Sequence, residues 1–265
     1  MTKVINVCQC IDAFAPFETQ WDFDNSGFQV GRRDQEVTKI LVSLDITREV
    51  VEEAAQLGAQ LIVAHHPIIF HPVKSVIDRT PTGEILLALI ENKIAAICAH
   101  TNLDAARGGV NDCLAKALEL TEIGQLCQAG VDAQGRPYGI GRVGTVHRPG
   151  LSAREYAAFV KERLNAANVR FVGGGKPVQR VAVGGGACGS MLEDVVAQGC
   201  DTFVTADLKY NQFLDAKALG LNLLDAGHFP TENVVCGPMV RWLSEAFPKV
   251  EVRLSEVHRE VYKSV

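Results

Sequence analysis

The chain lacks any pair of cysteines at CxxC spacing and any zinc-finger arrangement, although it holds eight cysteines, at positions 8, 10, 98, 113, 127, 188, 200 and 236. That excludes a zinc ribbon and gives no disulfide framework. Several of the thiols sit in apolar stretches, where cysteine acts as a small hydrophobe, and a reduced, cytoplasmic protein is expected. Cys8-Gln-Cys10 is read as structural. No apolar run reaches 18 residues, so no membrane-spanning helix is expected. The opening MTKVINVCQCIDAFAPF has no signal-peptide core. Positive charge is not in excess: 26 Lys and Arg stand against 31 Asp and Glu, a net charge of −5. Neither nucleic acid nor an anionic membrane is therefore an expected partner. Serine-elbow (G-x-S-x-G) and Walker-lysine patterns are missing too.

What is present is a globular composition, 47% hydrophobic and 22% charged over 265 residues, enough for one large α/β domain or two smaller ones. Val4, Val7, Cys8, Ile11, Phe14 and Ala15 recur at helical spacing, and Pro16 ends that helix. Trp21 to Gly31 reads as a turn-rich loop. Strand KILVSLDI, helix REVVEEAAQLG, strand AQLIVA, helix TGEILLALIENK, strand IAAICA and helix VNDCLAKALEL follow. The second half, from about residue 128, replays this order. Strand RVAVGG leads to a glycine turn, helix SMLEDVVAQG, strand DTFVTA, helix NQFLDAKALG and strand LNLLDAG.

A shift of 141 lays Lys39 on Arg180, Gly58 on Gly199 and Val63 on Val204. A shift of 128 then lays His100 on His228 and Asp104 on Glu232. The matched order predicts an internal duplication, with one lobe at residues 1–127 and another at 128–265. Alternating strands and helices predict an α/β fold with largely parallel strands, which bind ligands outside their carboxyl ends.

Chemistry gathers at those ends. His65-His66-Pro67 follows LIVA, His100-Thr-Asn-Leu-Asp104 follows IAAICA, and His228-Phe-Pro-Thr-Glu232 follows LNLLDAG. Adjacent imidazoles in extended chain diverge, and Pro67 keeps His66 extended or in a turn, so His65 and His66 point to two ions rather than one. Imidazole with carboxylate suits Zn, Mn, Fe, Co or Ni better than Ca. Glu232, the longer carboxylate, is expected to bridge two divalent ions, with Asp104 and His228 completing their shells. His100 is either a ligand sharing a helical face with Asp104 or a residue that orients a ligand.

A single histidine after a buried strand is more often a core residue than a ligand. Four of them at three strand ends, with two carboxylates at matched offsets, reverse that balance. His71, His147 and His258 stand apart and are not counted as ligands. The run Gly184 to Gly189 formally matches G-x-G-x-x-G after a strand, with Asp207 eighteen residues on, where a ribose-binding acid would be sought. A tight strand-to-helix turn accounts for the same glycines.

HHPIIF, the His100–Asp104 segment, the Trp21–Gly31 loop and DAGHFPTE together resemble the Nif-three-like (YbgI-type) dinuclear metal family, many members of which are labelled GTP cyclohydrolase type 2 homolog. The resemblance runs over nearly the whole chain. It implies metal ligands at His65, His66, Asp104, His228 and Glu232, and two similar, intertwined αβα lobes. It also implies a ring-shaped homo-oligomer, typically a hexamer. The Trp21-Asp22-Phe23-Asp24-Asn25 spacing departs from the family loop, so no ligand role is assigned there. Asp207 stands where relatives often carry Glu, and is a candidate for supporting a ligand.

The expected function is that of a metal-dependent hydrolase acting on a nucleotide or phosphoester, with purine-ring opening in GTP implied by the family label. No catalytic acid or base is legible. The alternative is a non-enzymatic metal-handling or scaffold protein.

Overall fold

A computed structural model describes residues 1–263. It contains α1 (Val4–Phe14), β1 (Gly27–Val30), β2 (Lys39–Ser43), α2 (Arg48–Leu57), β3 (Leu61–Ala64), α3 (Pro81–Glu91), β4 (Ala95–Cys98) and α4 (Thr101–Ala105). The middle of the chain forms α5 (Val110–Ala117), β5 (Leu120–Gln125), β6 (Gly130–Val131), β7 (Pro137–Tyr138), β8 (Arg142–Val146), α6 (Ala153–Arg163), β9 (Arg170–Val172) and β10 (Arg180–Val183). It continues through α7 (Leu192–Ala197), β11 (Thr202–Thr205), α8 (Tyr210–Ala218), β12 (Asn222–Asp225) and α9 (His228–Glu232) to α10 (Cys236–Ala246) and β13 (Glu251–Leu254).

Two compact units result. The first comprises Met1–Ala106 and Cys236–Arg259, and the second Arg107–Val235 and Glu260–Val265. The boundary expected at 127/128 falls inside the second unit. Leu120–Gln125 is not a tail of the first lobe but pairs with β8, and α10 and β13 return to the first unit, where β13 adds to β2.

The local signals that build these elements are ordinary. Thr47 caps α2 by accepting from the Val50 amide, and Gly58 closes that helix in the left-handed region at φ 66°. Thr80 caps α3, with Pro81 at its first turn. Ser152 and Glu155 form a reciprocal capping box at α6.

The first unit's sheet runs β1-β4-β3-β2-β13, with β1 antiparallel at one edge and the rest parallel. Within the loop expected at Trp21–Gly31, residues Gly27–Val30 are therefore strand. The second sheet runs β5-β8-β10-β11-β12-β9, and β10, β11 and β12 are its parallel core. The short strands β5 to β9, all between the repeated blocks, were not expected from periodicity.

Strands β3, β4, β11 and β12 are buried at every residue, as strands covered on both faces must be. In the second unit, Val181, Val183, Val204 and Leu224 pack with Tyr156 and Val160 on one face. Ala182, Phe203 and Leu223 pack with Leu192, Val195 and Ala216 on the other. In the first unit, Leu41, Ile62 and Ala96 meet Val50, Ala54, Leu86 and Leu89, and α10 lies on β2 and β13.

The duplication is visible in the topology. The order β1-β4-β3-β2 recurs as β9-β12-β11-β10, with the same parallel and antiparallel senses. The 141-residue shift matches β2 with β10 and β3 with β11. The second shift departs from the strand register by one residue. Val63 pairs with Ile97 and Val204 with Leu224, so the fourth strand repeats at 127 rather than 128. The following helical turns obey the same offset, since Asp104 N donates to His100 O and Thr231 N to Gly227 O. His228 thus repeats Thr101, and Glu232 repeats Ala105. The two His-x3-carboxylate segments share a spacing but sit one residue apart on equivalent turns.

Tyr156 is 1% exposed and its hydroxyl has no hydrogen-bond partner among the described residues. Burial also pushes that hydroxyl's pKa up. Removing an unsatisfied buried polar atom lifts a desolvation cost. Tyr156→Phe is expected to leave stability unchanged or raise it by about 1 kcal/mol, read by urea denaturation; a loss above about 2 kcal/mol would contradict it. Among the described residues no helix is long and apolar enough to cross a membrane.

Candidate metal centre

In the first unit the parallel strands β2, β3 and β4 deliver polar groups at their carboxyl ends. Both His65 and His66 amides donate to Leu44 O, at 3.1 and 2.9 Å, which turns the chain out of β3. His65 is fully buried, and its Nδ1 lies 2.8 Å from Ala99 O. A carbonyl only accepts, so Nδ1 carries the proton and, in the neutral ring, Nε2 carries the lone pair. His66 Nδ1 lies 2.7 Å from Asp45 Oδ1, just past β2. His100, which follows β4 and precedes α4, sets its Nδ1 2.7 Å from Asp24 Oδ1.

The three rings meet, with His65 and His100 centroids 5.2 Å apart and His66 and His100 5.5 Å apart. One ligand atom from each of His65, His66 and His100 falls within 4.8 Å of the others. Asp104 is buried on α4, its Oδ1 3.7 Å from His65 Nε2. An imidazole nitrogen and a carboxylate oxygen side by side are donors that a zinc-like ion would accept. A helical turn does follow the strand, and His100 and Asp104 lie at its start and in its last residues.

Asp24 is the unexpected member. Burial works to raise its pKa. Hydrogen bonds from the His100 ring and the Thr101 hydroxyl, attraction to His100 and the Thr101 amide outweigh that, holding the carboxyl well below the usual range. Its two oxygens accept from His100 on one side and from Thr101 and Ser26 on the other.

In the second unit, α9 begins at His228. Its Nδ1 lies 2.7 Å from Asp207 Oδ2, and its Nε2 lies 3.0 Å from Glu232 Oε2 one turn later. Asp207, at the carboxyl end of β11, adopts a left-handed backbone at φ 53°. Asp225 ties the two turns together: its Oδ2 accepts from Leu208 N and from Arg170, its Oδ1 from Gly227 N.

The glycine run belongs to this same arrangement. Gly186 is left-handed at φ 64°, and a Cβ there would stand 2.1 Å from Glu232 Oε1. Gly185 N donates to Asn111 Oδ1 and Gly186 N to Thr231 Oγ1. These amides are committed to the fold, and Asp207 is committed to His228. The turn therefore seats Glu232, and the reading of the run as a dinucleotide loop falls.

Of the seven site residues named from sequence, His65, His66, His100 and Asp104 lie near one another in the first unit, and Asp207, His228 and Glu232 lie near one another in the second. His71 packs its ring on Phe70, His258 bonds Ser255 O, and His147 is exposed. Asp24 and Asp45 were missed. Asp45 carried a signal, a carboxylate just past the strand beside the His65-His66 strand. Asp24 carried none, being 76 residues from the ring it holds.

The sequence profile of the Duf34/NIF3 (NGG1p interacting factor 3) family matches residues 2–261. The chain belongs to this family. Within it, a Streptomyces coelicolor protein named GTP cyclohydrolase 1 type 2 homolog is 41% identical, the alignment covering 88% of this chain and 82% of that one. A hypothetical protein of Staphylococcus aureus superposes with a TM-score of 0.93 at 31% identity, over 99% of both chains. The solved protein ybgI superposes at 0.85 with 25% identity, over 97% of this chain and 99% of that one. NIF3-family membership and the mixed α/β fold agree with the resemblance read from HHPIIF and DAGHFPTE.

Proposed function

We propose that this NIF3-family protein binds two divalent cations through His65, His66, Asp104, His228 and Glu232, and that it hydrolyses a nucleotide or phosphoester. One observation carries this reading. Four histidines each present Nδ1 to an oxygen acceptor, three of them carboxylates, and so each offers Nε2. Metal-ligating imidazoles are oriented in that way, and a carboxylate behind the ring raises its basicity. A merely structural histidine needs no such repetition at three strand ends.

The donor set fits the expected group. Neutral imidazoles and carboxylates match Zn, Mn, Fe, Co or Ni. Such ions supply Lewis acidity, acidifying water and polarising carbon or phosphorus. The chain's own residues do the rest. Asp24, Asp45 and Asp207 hold His100, His66 and His228 in one tautomer. The buried glycine turn fixes the Glu232 carboxylate, and His100 is positioned either to add a ligand or to hold a proton at Nε2. The names of the relatives support GTP as the first substrate to try. A homo-hexameric ring is part of the proposal and is read by sedimentation.

The test is elemental analysis followed by a screen of nucleotides and phosphoesters. About two metals per chain are expected, with turnover that vanishes under chelator and returns with metal. Exchangeable metal with no turnover would favour metal handling instead. Protein that takes up no metal would sink both readings.

A further inference from the structure

Two phenyl rings stand beside the first unit's histidine cluster, and nothing in the ligand scheme uses them. Phe23 is 66% exposed and Phe70 37% exposed. Their centroids are 6.3 Å apart with planes at 65°, an edge-to-face pair. Phe70 lies 6.0 Å from the His100 ring at 81°, and His100 contacts both His65 and His66. The aromatic surface is therefore continuous with the cluster, one ring contact from it.

The rings are held out, not left loose. Asn25 Nδ2 donates to Ile69 O at 2.5 Å, and Ile69 N donates to Gln29 Oε1 at 2.9 Å. These bonds lock the Phe23 loop to the Phe70 loop. Trp21 N donates to Thr101 Oγ1 at 3.1 Å, and Asp24 beside Phe23 is fixed by His100 and Thr101. Exposed apolar area on backbone fixed from both sides is costly in water unless something covers it. An edge-to-face pair leaves the broad π-face of one ring open for stacking. The neighbouring chemistry selects the occupant: whatever lies there has its reactive group at an imidazole and carboxylate cluster within one ring's reach.

Resting on the hydrolase reading above, we propose that Phe23 and Phe70 form a stacking face that receives the planar ring of an aromatic substrate, a nucleobase or comparable heterocycle. They are specificity-determining residues: they select substrates that carry a ring and take no part in bond cleavage.

The probes are guanosine 5′-monophosphate and ribose 5-phosphate, titrated calorimetrically into the full-length, metal-loaded protein. The base-bearing probe should bind at least tenfold more tightly. Phe23→Ala and Phe70→Ala should each weaken it about tenfold, the scale of one lost base–aromatic stack. Ribose 5-phosphate binding and metal content should stay unchanged, and Phe23→Tyr should restore the preference. Equal binding of the two probes, or a preference that survives both alanine variants, would overturn the proposal. So would a change of oligomeric state in Phe23→Ala by sedimentation velocity, which would assign the rings to a contact between copies. Ring-dependent binding without turnover of any nucleotide or phosphoester would leave this inference standing and remove the hydrolase reading alone.

Discussion

Replacing Glu232 by Ala is expected to abolish tight metal binding and any hydrolysis while leaving the apo fold intact or slightly more stable. Glu232 is 3% exposed and lies against Gly185 and Gly186, with His228 Nε2 3.0 Å away. A carboxylate in so closed a place costs desolvation, and removing it relieves that cost in the metal-free protein. The loss appears only with metal. A ligand present at a thousand times its dissociation constant stabilises by about 4 kcal/mol, and that increment should vanish in the variant. The measurement is paired: metal per chain by elemental analysis, and the shift in Tm on adding Zn or Mn. A variant that keeps two metals and a full thermal shift removes Glu232 from the bridge. Glu232→Gln, which keeps shape and loses charge, separates the ligand role from packing.

Gly186→Ala approaches the same point from the other side. Its Cβ would occupy the place of Glu232 Oε1 and would sit at a left-handed φ. The glycine run is thus explained by what it seats, and a motif search cannot distinguish that from a phosphate loop. Both patterns need a close backbone approach after a strand. The difference lies in Asn111 and Thr231, 74 and 45 residues away, which take the amides.

The strand-end histidines were legible because burial on both sheet faces forces apolar runs, and a polar residue just beyond such a run stands out. His65, His66, His100 and His228 are all of this kind. The carboxylates that orient them were only half legible. Asp207 and Asp45 lie at strand ends and follow the same rule. Asp24 lies in a loop, and its partner is fixed by the β1–β4 pairing, which periodicity does not reveal. The His-x3-carboxylate pattern repeats at 128 while the strands repeat at 127 for a related reason. The pattern His-x3-carboxylate is stronger in sequence than the strand register, yet the register decides which face of the turn each side chain occupies. The duplicated turns therefore present their histidine and carboxylate side chains about 100° apart around the helix axis. The two equivalent turns carry different side chains at different positions, His100 with Asp104 and His228 with Glu232.

Replacing Asp24 by Asn should show how much of the first cluster depends on that loop. The carboxylate accepts hydrogen bonds from His100, the Thr101 amide, the Thr101 hydroxyl and Ser26. An amide can accept from one side only and turns a donor toward the other. Bonds to a charged acceptor contribute about 1.5–3 kcal/mol each, so a loss of about 2–4 kcal/mol is expected at neutral pH. Metal affinity should fall about 10- to 100-fold, because His100 loses its orientation and the α4 turn bearing Asp104 loses its anchor. The pH dependence identifies the cause. Asp24 has a depressed pKa in the folded protein, so its ionised form stabilises the fold fully above the unfolded carboxyl value of about 4. That contribution is lost as pH falls from there through the lower folded value. The stability gap between wild type and Asp24→Asn, measured by urea denaturation, should be largest near pH 7 and shrink below about pH 4. A gap that stays constant down to pH 3 would mean that packing, and not the charged network around His100, accounts for the effect.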